Sequence, residues 1–320
     1  MRRLFSITCW FVFVAMSVVS CAPQAAAPVE SVKIRLALLP IIDALPVYVA
    51  EQEGLFVEHN LDVEVIPVAS APERDQLIAA GQADGMINET LSTFFFDRES
   101  PQVKIVRYAL VPSSNAGHFF ILASKQSGIT SPEQLKGVEI GVSQGTVIEY
   151  VTYRLLEEAG LSDDDISTIA VPKMPDRMAL LASGDLQAAV MPDPLAALSI
   201  SQGAAVVMSD ADYPHYGFSV YSFRNAFLDQ QPDAAKAFLK AIEEAVNMVN
   251  TNPQKFNDIL NEQKLVPEPL LPTYSAPPYP PADIPSESEW TDALEWAKSK
   301  GLIAADVSFE ESVTDAYLPR

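Results

Sequence analysis

The chain has 320 residues, of which 48% are hydrophobic, with a mean hydropathy of +0.11, enough for two domains with separate cores. Its formal charge of -21 repels nucleic acid and acidic lipid, which argues against a polyanionic partner. Beyond residue 21 no stretch is long and apolar enough to cross a bilayer.

In chain order, Arg2 and Arg3 form a positive n-region, and Leu4 to Val19 is an apolar h-region too short for a stable span. Val18-Val19-Ser20-Cys21 resembles the lipobox of bacterial lipoproteins, in which cleavage precedes the Cys and its sulfur carries diacylglycerol. This implies a signal peptide over 1–20, a lipid anchor at Cys21, a flexible tether over 21–32, and a mature protein held at the extracytoplasmic face of the cell membrane. The other cysteine, Cys9, falls within the leader, so the mature chain offers no disulfide, thiol nucleophile or thiolate metal site.

Lys33 to Leu39 reads as a buried strand ended by Pro40, and a loop containing Asp43 leads to a helix over Val47 to Glu53 stopped by Gly54. Leu61 to Val68 alternates as a strand. The next motif occurs twice. Residues 74–89 and 177–192 each carry an Arg, a small-residue helical run, a Gly (Gly81 or Gly184), and a short apolar strand with a polar or proline-marked end. Helix, left-handed Gly and buried strand make half of a βαβ unit, so two copies predict two similar α/β lobes. Ligands of open α/β sheets sit past the carboxyl ends of the strands, so the two end loops are expected to face one cleft.

Val103 to Val111 predicts a strand, and Ser113-Ser114-Asn115 marks a first crossing between lobes. His118 to Ser124 opens the second lobe. Val138 to Val142 leads through Ser143-Gln144-Gly145-Thr146 to a helix over 147–159. Tyr213 to Phe223 is expected to be the return crossing, which assigns 33–113 and 224–320 to lobe one and 114–223 to lobe two. Helical spacing of Phe238, Leu239, Ile242, Ala245, Val246 and Val249 predicts a long helix starting at Pro232. Residues 266–285, with eight prolines, read as an extended strap before a last helix over Trp290 to Lys300.

AEQEGLF at 50–56, LDVEV at 61–65, AGQADG at 80–85 and LKGVEIGVSQGT at 135–146 together resemble the substrate-binding proteins of ABC importers. The group in question includes sulfonate, taurine, nitrate, thiamine-precursor and riboflavin binders. The resemblance implies the two-lobed α/β periplasmic-binding-protein type II fold, a monomer that closes on one small molecule, and permease and ATPase subunits as partners. It implies no cofactor and no catalytic residue.

Reactive constellations are missing from the sequence. The three His, at 59, 118 and 215, lack metal spacing, and there is no G-x-S-x-G elbow and no phosphate loop. A thiamine-pyrimidine biosynthetic enzyme of similar fold would need His118 or His215 in the cleft. For binding, Ser143, Gln144, Gly145 and Thr146 stand at a helix amino terminus, where free N–H groups and hydroxyls meet either a ligand or their own helix cap. The resemblance implies that this corner touches the ligand. Tyr150 is one turn on, placed for the cleft or the core. Asn88, Glu89 and Thr90 supply donors and acceptors from the other lobe, and Asp193, held between two prolines, is a cleft residue or a helix cap. Asp43, His118 and Tyr216 complete the candidates, the last within an aromatic run suited to stacking on a flat ring. Arg74 and Arg177 sit at equivalent helix positions and read as structural, so the ligand is expected to be an uncharged aromatic heterocycle, riboflavin first and a thiamine-precursor pyrimidine next, ahead of a sulfonate or nitrate.

Overall fold

The computed structural model describes residues 31–319; the leader, Cys21 and nearly all of the expected tether lie outside them. The chain builds two five-stranded sheets. In the first half the elements are β1 (Val32–Leu38), α1 (Leu45–Gln52), α2 (Leu55–Glu58), β2 (Leu61–Pro67), α3 (Ala71–Ala79), β3 (Gly85–Asn88), α4 (Thr90–Asp97) and β4 (Val103–Leu110). Lobe two holds β5 (Phe119–Ala123), β6 (Glu139–Val142), α5 (Val147–Glu158), β7 (Ser167–Ala170), α6 (Met174–Ser183), β8 (Ala188–Pro192), α7 (Leu195–Ser201) and β9 (Ala205–Ser209). The chain then returns through β10 (Ser219–Arg224), α8 (Asn225–Gln230), α9 (Pro232–Thr251), α10 (Asn257–Glu262), α11 (Glu287–Ser299) and α12 (Phe309–Ser312).

The sheet orders are β2-β1-β3-β10-β4 and β7-β6-β8-β5-β9, so the lobes repeat one plan. In each, three strands run parallel, and an antiparallel strand at a lobe crossing joins them to the edge strand: β10 in the first sheet and β5 in the second. This moves the second crossing. β10 pairs with β3 and β4, so residues 219–223 belong to lobe one and the crossing runs over 210–218. Val32 likewise opens β1 rather than closing the tether.

The repeated motif folds as its composition requires. Ser70 caps α3 by accepting from the Glu73 N–H, and Gly81 and Gly184 close the two helical runs at φ +68° and +85°, a conformation costly for residues with a Cβ. In lobe one the apolar face of α9 is fully buried, with Phe238 stacked on Phe56 and edge-on to Tyr221. Burial of each such side chain is worth about 1.5–3 kcal/mol, which is what holds the helix on its sheet.

The tail is not confined to lobe one. Ser286 and Glu289 form a reciprocal capping box that starts α11, and this helix packs on both lobes. Trp290 meets Phe94 of α4 edge-on, while Trp296 packs against Tyr150 and Tyr153 of α5. Residues of both lobes and α11 thus share one apolar cluster. The strap over 266–285 carries a short 3-10 turn at Glu268–Leu270 and otherwise has no regular structure. No described helix is long and apolar enough to cross a membrane.

Candidate ligand-binding site

A cavity lies past the carboxyl ends of the parallel strands of both sheets. Lobe one contributes Leu39, Ile41 and Asp43 after β1, Ser70, Ala71 and Arg74 at the start of α3, and Ile87, Asn88 and Glu89 at the end of β3. Lobe two supplies Ser143, Thr146, Val147 and Ile148 around the start of α5, Pro172 and Met174 after β7, and Pro192. His118 comes from the end of the first crossing, Phe119 from the start of β5 and Ser219 from the start of β10. The two end loops of the repeated motif therefore do meet one gap, with walls that are mostly apolar.

Six of the residues expected from sequence line it: Asp43, Asn88, Glu89, His118, Ser143 and Thr146. Asp43 is fully buried on a short 3-10 turn, and its Oδ2 accepts from the Ser219 hydroxyl at 2.5 Å. Its Oδ1 lies 3.2 Å from His118 Nε2, but the two are not aligned for a hydrogen bond, and each lacks a partner. His118 Nδ1 is 2.7 Å from the Gly217 carbonyl, which can only accept, so this nitrogen carries a proton. Burial opposes charge on both groups, but their mutual attraction wins. His118 is raised to about 9 by Asp43, Asp210 and the Gly217 carbonyl, while Asp43 is held below the usual carboxylate range by His118 and Ser219. Asp210, buried behind them, accepts from the His118 and Phe119 N–H groups, yet burial pushes it up to about 6.

On the other wall Glu89 caps α4 by accepting from Ser92 N–H at 2.9 Å, and it receives Arg74 at 3.4 Å. Burial raises its pKa despite that cation. Arg74 also binds Asp75 and the Ile87 carbonyl, so its charge is matched before any ligand arrives. Asn88 donates to Ser92 and Thr93 and accepts from Ser222, which occupies its amide within the wall.

Six expected residues lie outside the cavity wall. Thr90 is buried in the first turn of α4. Gln144 is exposed, with its amide on Thr168. The Gly145 N–H donates to Glu149 Oε2 at 2.7 Å, so the helix start satisfies itself rather than presenting this donor to the cleft. Tyr150 donates to Asp292 at 2.5 Å and belongs to the α5–α11 contact. Tyr216 donates to Glu158 and packs on Tyr150. Asp193 accepts from Tyr274 of the strap, beside a neighbouring cavity.

Ser70 and Ser219 are wall residues that the sequence reading passed over, and Arg74, read from sequence as structural, also lines the cavity. Arg74 was legible as one half of the repeat. Its partner Arg177 lies fully buried behind Ser143, donating to Ser143 Oγ and the Val171 carbonyl, and burial without a counter-ion lowers its pKa to about 10. Among the described residues no group of three or more His, Cys, Asp or Glu is arranged to hold a metal ion.

The geometry can be set beside known proteins. A binding protein from Brucella abortus (strain 2308) is 28% identical over 216 residues, 66% of this chain, and the chain spans only 65% of that relative's length. The ligand binding component of an ABC-type import system from Staphylococcus aureus, with zinc bound, superposes with a TM-score of 0.75 at 16% identity, over 90% of this chain and 98% of that one. The alkanesulfonate-binding protein SsuA from Xanthomonas axonopodis pv. citri, bound to MOPS, also gives 0.75 at 16% identity, over 89% and 99%. At such identities these two structures establish a shared two-lobed fold and nothing finer. The family model described as NMT1/THI5 like matches residues 42–256, and the chain belongs to that family.

Proposed function

We propose that this protein is the ligand-capturing subunit of an ABC importer, a monomer anchored through lipidated Cys21 at the extracytoplasmic face and handing its cargo to permease and ATPase subunits. The cargo is an aromatic heterocycle, riboflavin first and a thiamine-precursor pyrimidine second. The observation that carries this reading is the apolar-walled cavity formed jointly by the strand-end loops of two lobes, with a few buried polar groups converging on it. Phe119, Ile41, Ile148 and Met174 give a flat ring apolar surface on both lobes.

An enzymatic role in thiamine-pyrimidine synthesis is the reading from another class, and His118 does stand in the cleft. The arrangement is unsuited to nucleophilic catalysis. Ser219 donates to Asp43, and Asp43 faces His118, so the imidazole is not placed to take the serine proton. With its pKa raised to about 9, His118 is also protonated at neutral pH and is no base. A sulfonate or nitrate is the alternative cargo, favoured by Arg74 in the wall, but that cation is already matched by Glu89 and Asp75.

A thermal-shift panel of riboflavin, pyrimidines, taurine and nitrate, followed by mass measurement of ligand and protein, tests the reading. Stabilisation of about 2.7 kcal/mol is expected from a ligand at 100 times its Kd. Turnover of the ligand would remove the binder in favour of the enzyme.

A further inference from the structure

The cavity wall holds a polar pattern that constrains what the ligand must offer. Asp43 is fully buried and lines the cavity; Oδ2 is matched by Ser219, and Oδ1 has no donor. A buried carboxylate oxygen left without a donor is costly, so in the occupied state something supplies one. The neighbouring hydroxyls are not that source, because their protons are committed. Ser219 donates to Asp43 Oδ2, Ser143 donates to the Pro172 carbonyl at 3.0 Å, and Thr146 donates to the Ser143 carbonyl at 2.7 Å. Each hydroxyl has one proton, so all three can only accept from a ligand. Ser70, which accepts from Glu73 N–H, is the lining hydroxyl with no acceptor for its own proton.

Beside the open oxygen stands the matching donor. His118 Nδ1 carries a proton toward the Gly217 carbonyl, and a bare Nε2 lone pair would face the lone pairs of Asp43 Oδ1 at 3.2 Å. Both ring nitrogens are therefore protonated, and the Nε2–H, off-line for Asp43, also lacks a partner. One acceptor and one donor, side by side, form the mirror of a ring edge in which an N–H adjoins a bare nitrogen or a carbonyl, read by two parallel hydrogen bonds.

We infer that the ligand docks an amidine-like or lactam-like edge, its N–H on Asp43 Oδ1 and its neighbouring nitrogen or carbonyl on His118 Nε2–H, and that oxyanions, having acceptors only, are rejected there. The inference rests on the cleft being a small-molecule site. It goes beyond that reading by making the donor, rather than the flat ring, the selected feature. An oxyanion placed against Asp43 would leave the same oxygen unpaired and add like-charge repulsion.

The test is isothermal titration of the purified protein with five probes: 4-amino-2,5-dimethylpyrimidine, riboflavin, 2,4,5-trimethylpyrimidine, methanesulfonate and nitrate. The first two carry the donor–acceptor edge, and the third keeps the pyrimidine ring and its acceptors but lacks the N–H. A donor-bearing probe is expected to bind at least tenfold more tightly than trimethylpyrimidine, and in Asp43→Asn that advantage is expected to fall below threefold. Should the variant not fold, the ratio in the unaltered protein decides. Trimethylpyrimidine binding as well as its amino counterpart overturns the inference and leaves the heterocycle reading standing. Binding of methanesulfonate or nitrate alone removes both, and no binding by either donor-bearing probe overturns the inference.

Discussion

Replacing Asp43 by Asn isolates the energetics of the cleft. The carboxylate and the His118 imidazolium are both fully buried and 3.2 Å apart. At an effective dielectric of about 20, that separation corresponds to an attraction of about 5 kcal/mol. Removing one partner of a buried pair leaves a charge that burial alone disfavours, so the expected loss of stability is about 3–5 kcal/mol. The sign with pH follows from the two shifts. His118 is raised from 6.5 to about 9, so its contribution is fully present below 6.5 and is lost as pH rises through 9. Asp43 is depressed below 3.8, so its contribution is present above that value and is lost as pH falls through its lowered pKa. The stability difference between the two proteins should therefore be largest near pH 5–6, shrink between 6.5 and 9, and be small above 9. Urea unfolding at a series of pH values measures it, and NMR titration of His118 supplies the mechanism: about 9 in the unaltered protein, below 6.5 in Asp43→Asn. A His118 that titrates near 6.5 in both would refute the ion pair and the reasoning built on it.

Phe238→Ala, at a fully buried position on α9, should lower stability by about 3–5 kcal/mol, shifting the urea midpoint with little change in slope. Gly217→Ala drives a Cβ into Asp210 Oδ2, so the variant should either fail to accumulate in soluble form or lose the Asp210 bonds to the His118 and Phe119 N–H groups, seen as faster amide exchange there. Gln144→Ala should leave ligand affinity unchanged, because its amide serves Thr168, whereas Ser143→Ala strips partners from Arg177 and Pro172 O and should cost about 1–3 kcal/mol in stability. Asp292→Ala releases Tyr150 and Arg154 from α11, and a double-mutant cycle with Tyr150→Phe should return a coupling of about 0.5–3 kcal/mol.

The lobes were readable from the sequence because the determinants are local. A capping Ser70, left-handed Gly81 and Gly184, and short apolar strands recur at matched spacing, and each acts over a few residues. The heptad-like face of α9 was readable for the same reason. Strand partnership was not, since nothing within 213–223 tells β10 that its neighbours are β3 and β4 more than a hundred residues earlier. The two-lobe seating of α11 was hidden likewise, because Trp290 and Trp296 are one apolar stripe in sequence and choose their partners only by tertiary proximity.

At the site, strand-end logic placed Asn88, Glu89, Ser143 and Thr146 in the wall, and it overreached where a side chain had a closer partner. Gly145 found Glu149 four residues on, and Tyr150 and Tyr216 found carboxylates. The pairing of Asp43 with His118 and Ser219, separated in sequence by 75 to 176 positions, is created by the crossings and has no local signature.

The most direct measurement is the crystal structure of the protein bound to the tightest ligand of the panel. Electron density for that molecule is predicted between the lobes, bounded by Asp43 and Ser219 on one side and Ser143 on the other. Density confined instead to the neighbouring cavity beside Asp193 and Tyr274, with the Asp43 cleft unchanged, would contradict the account.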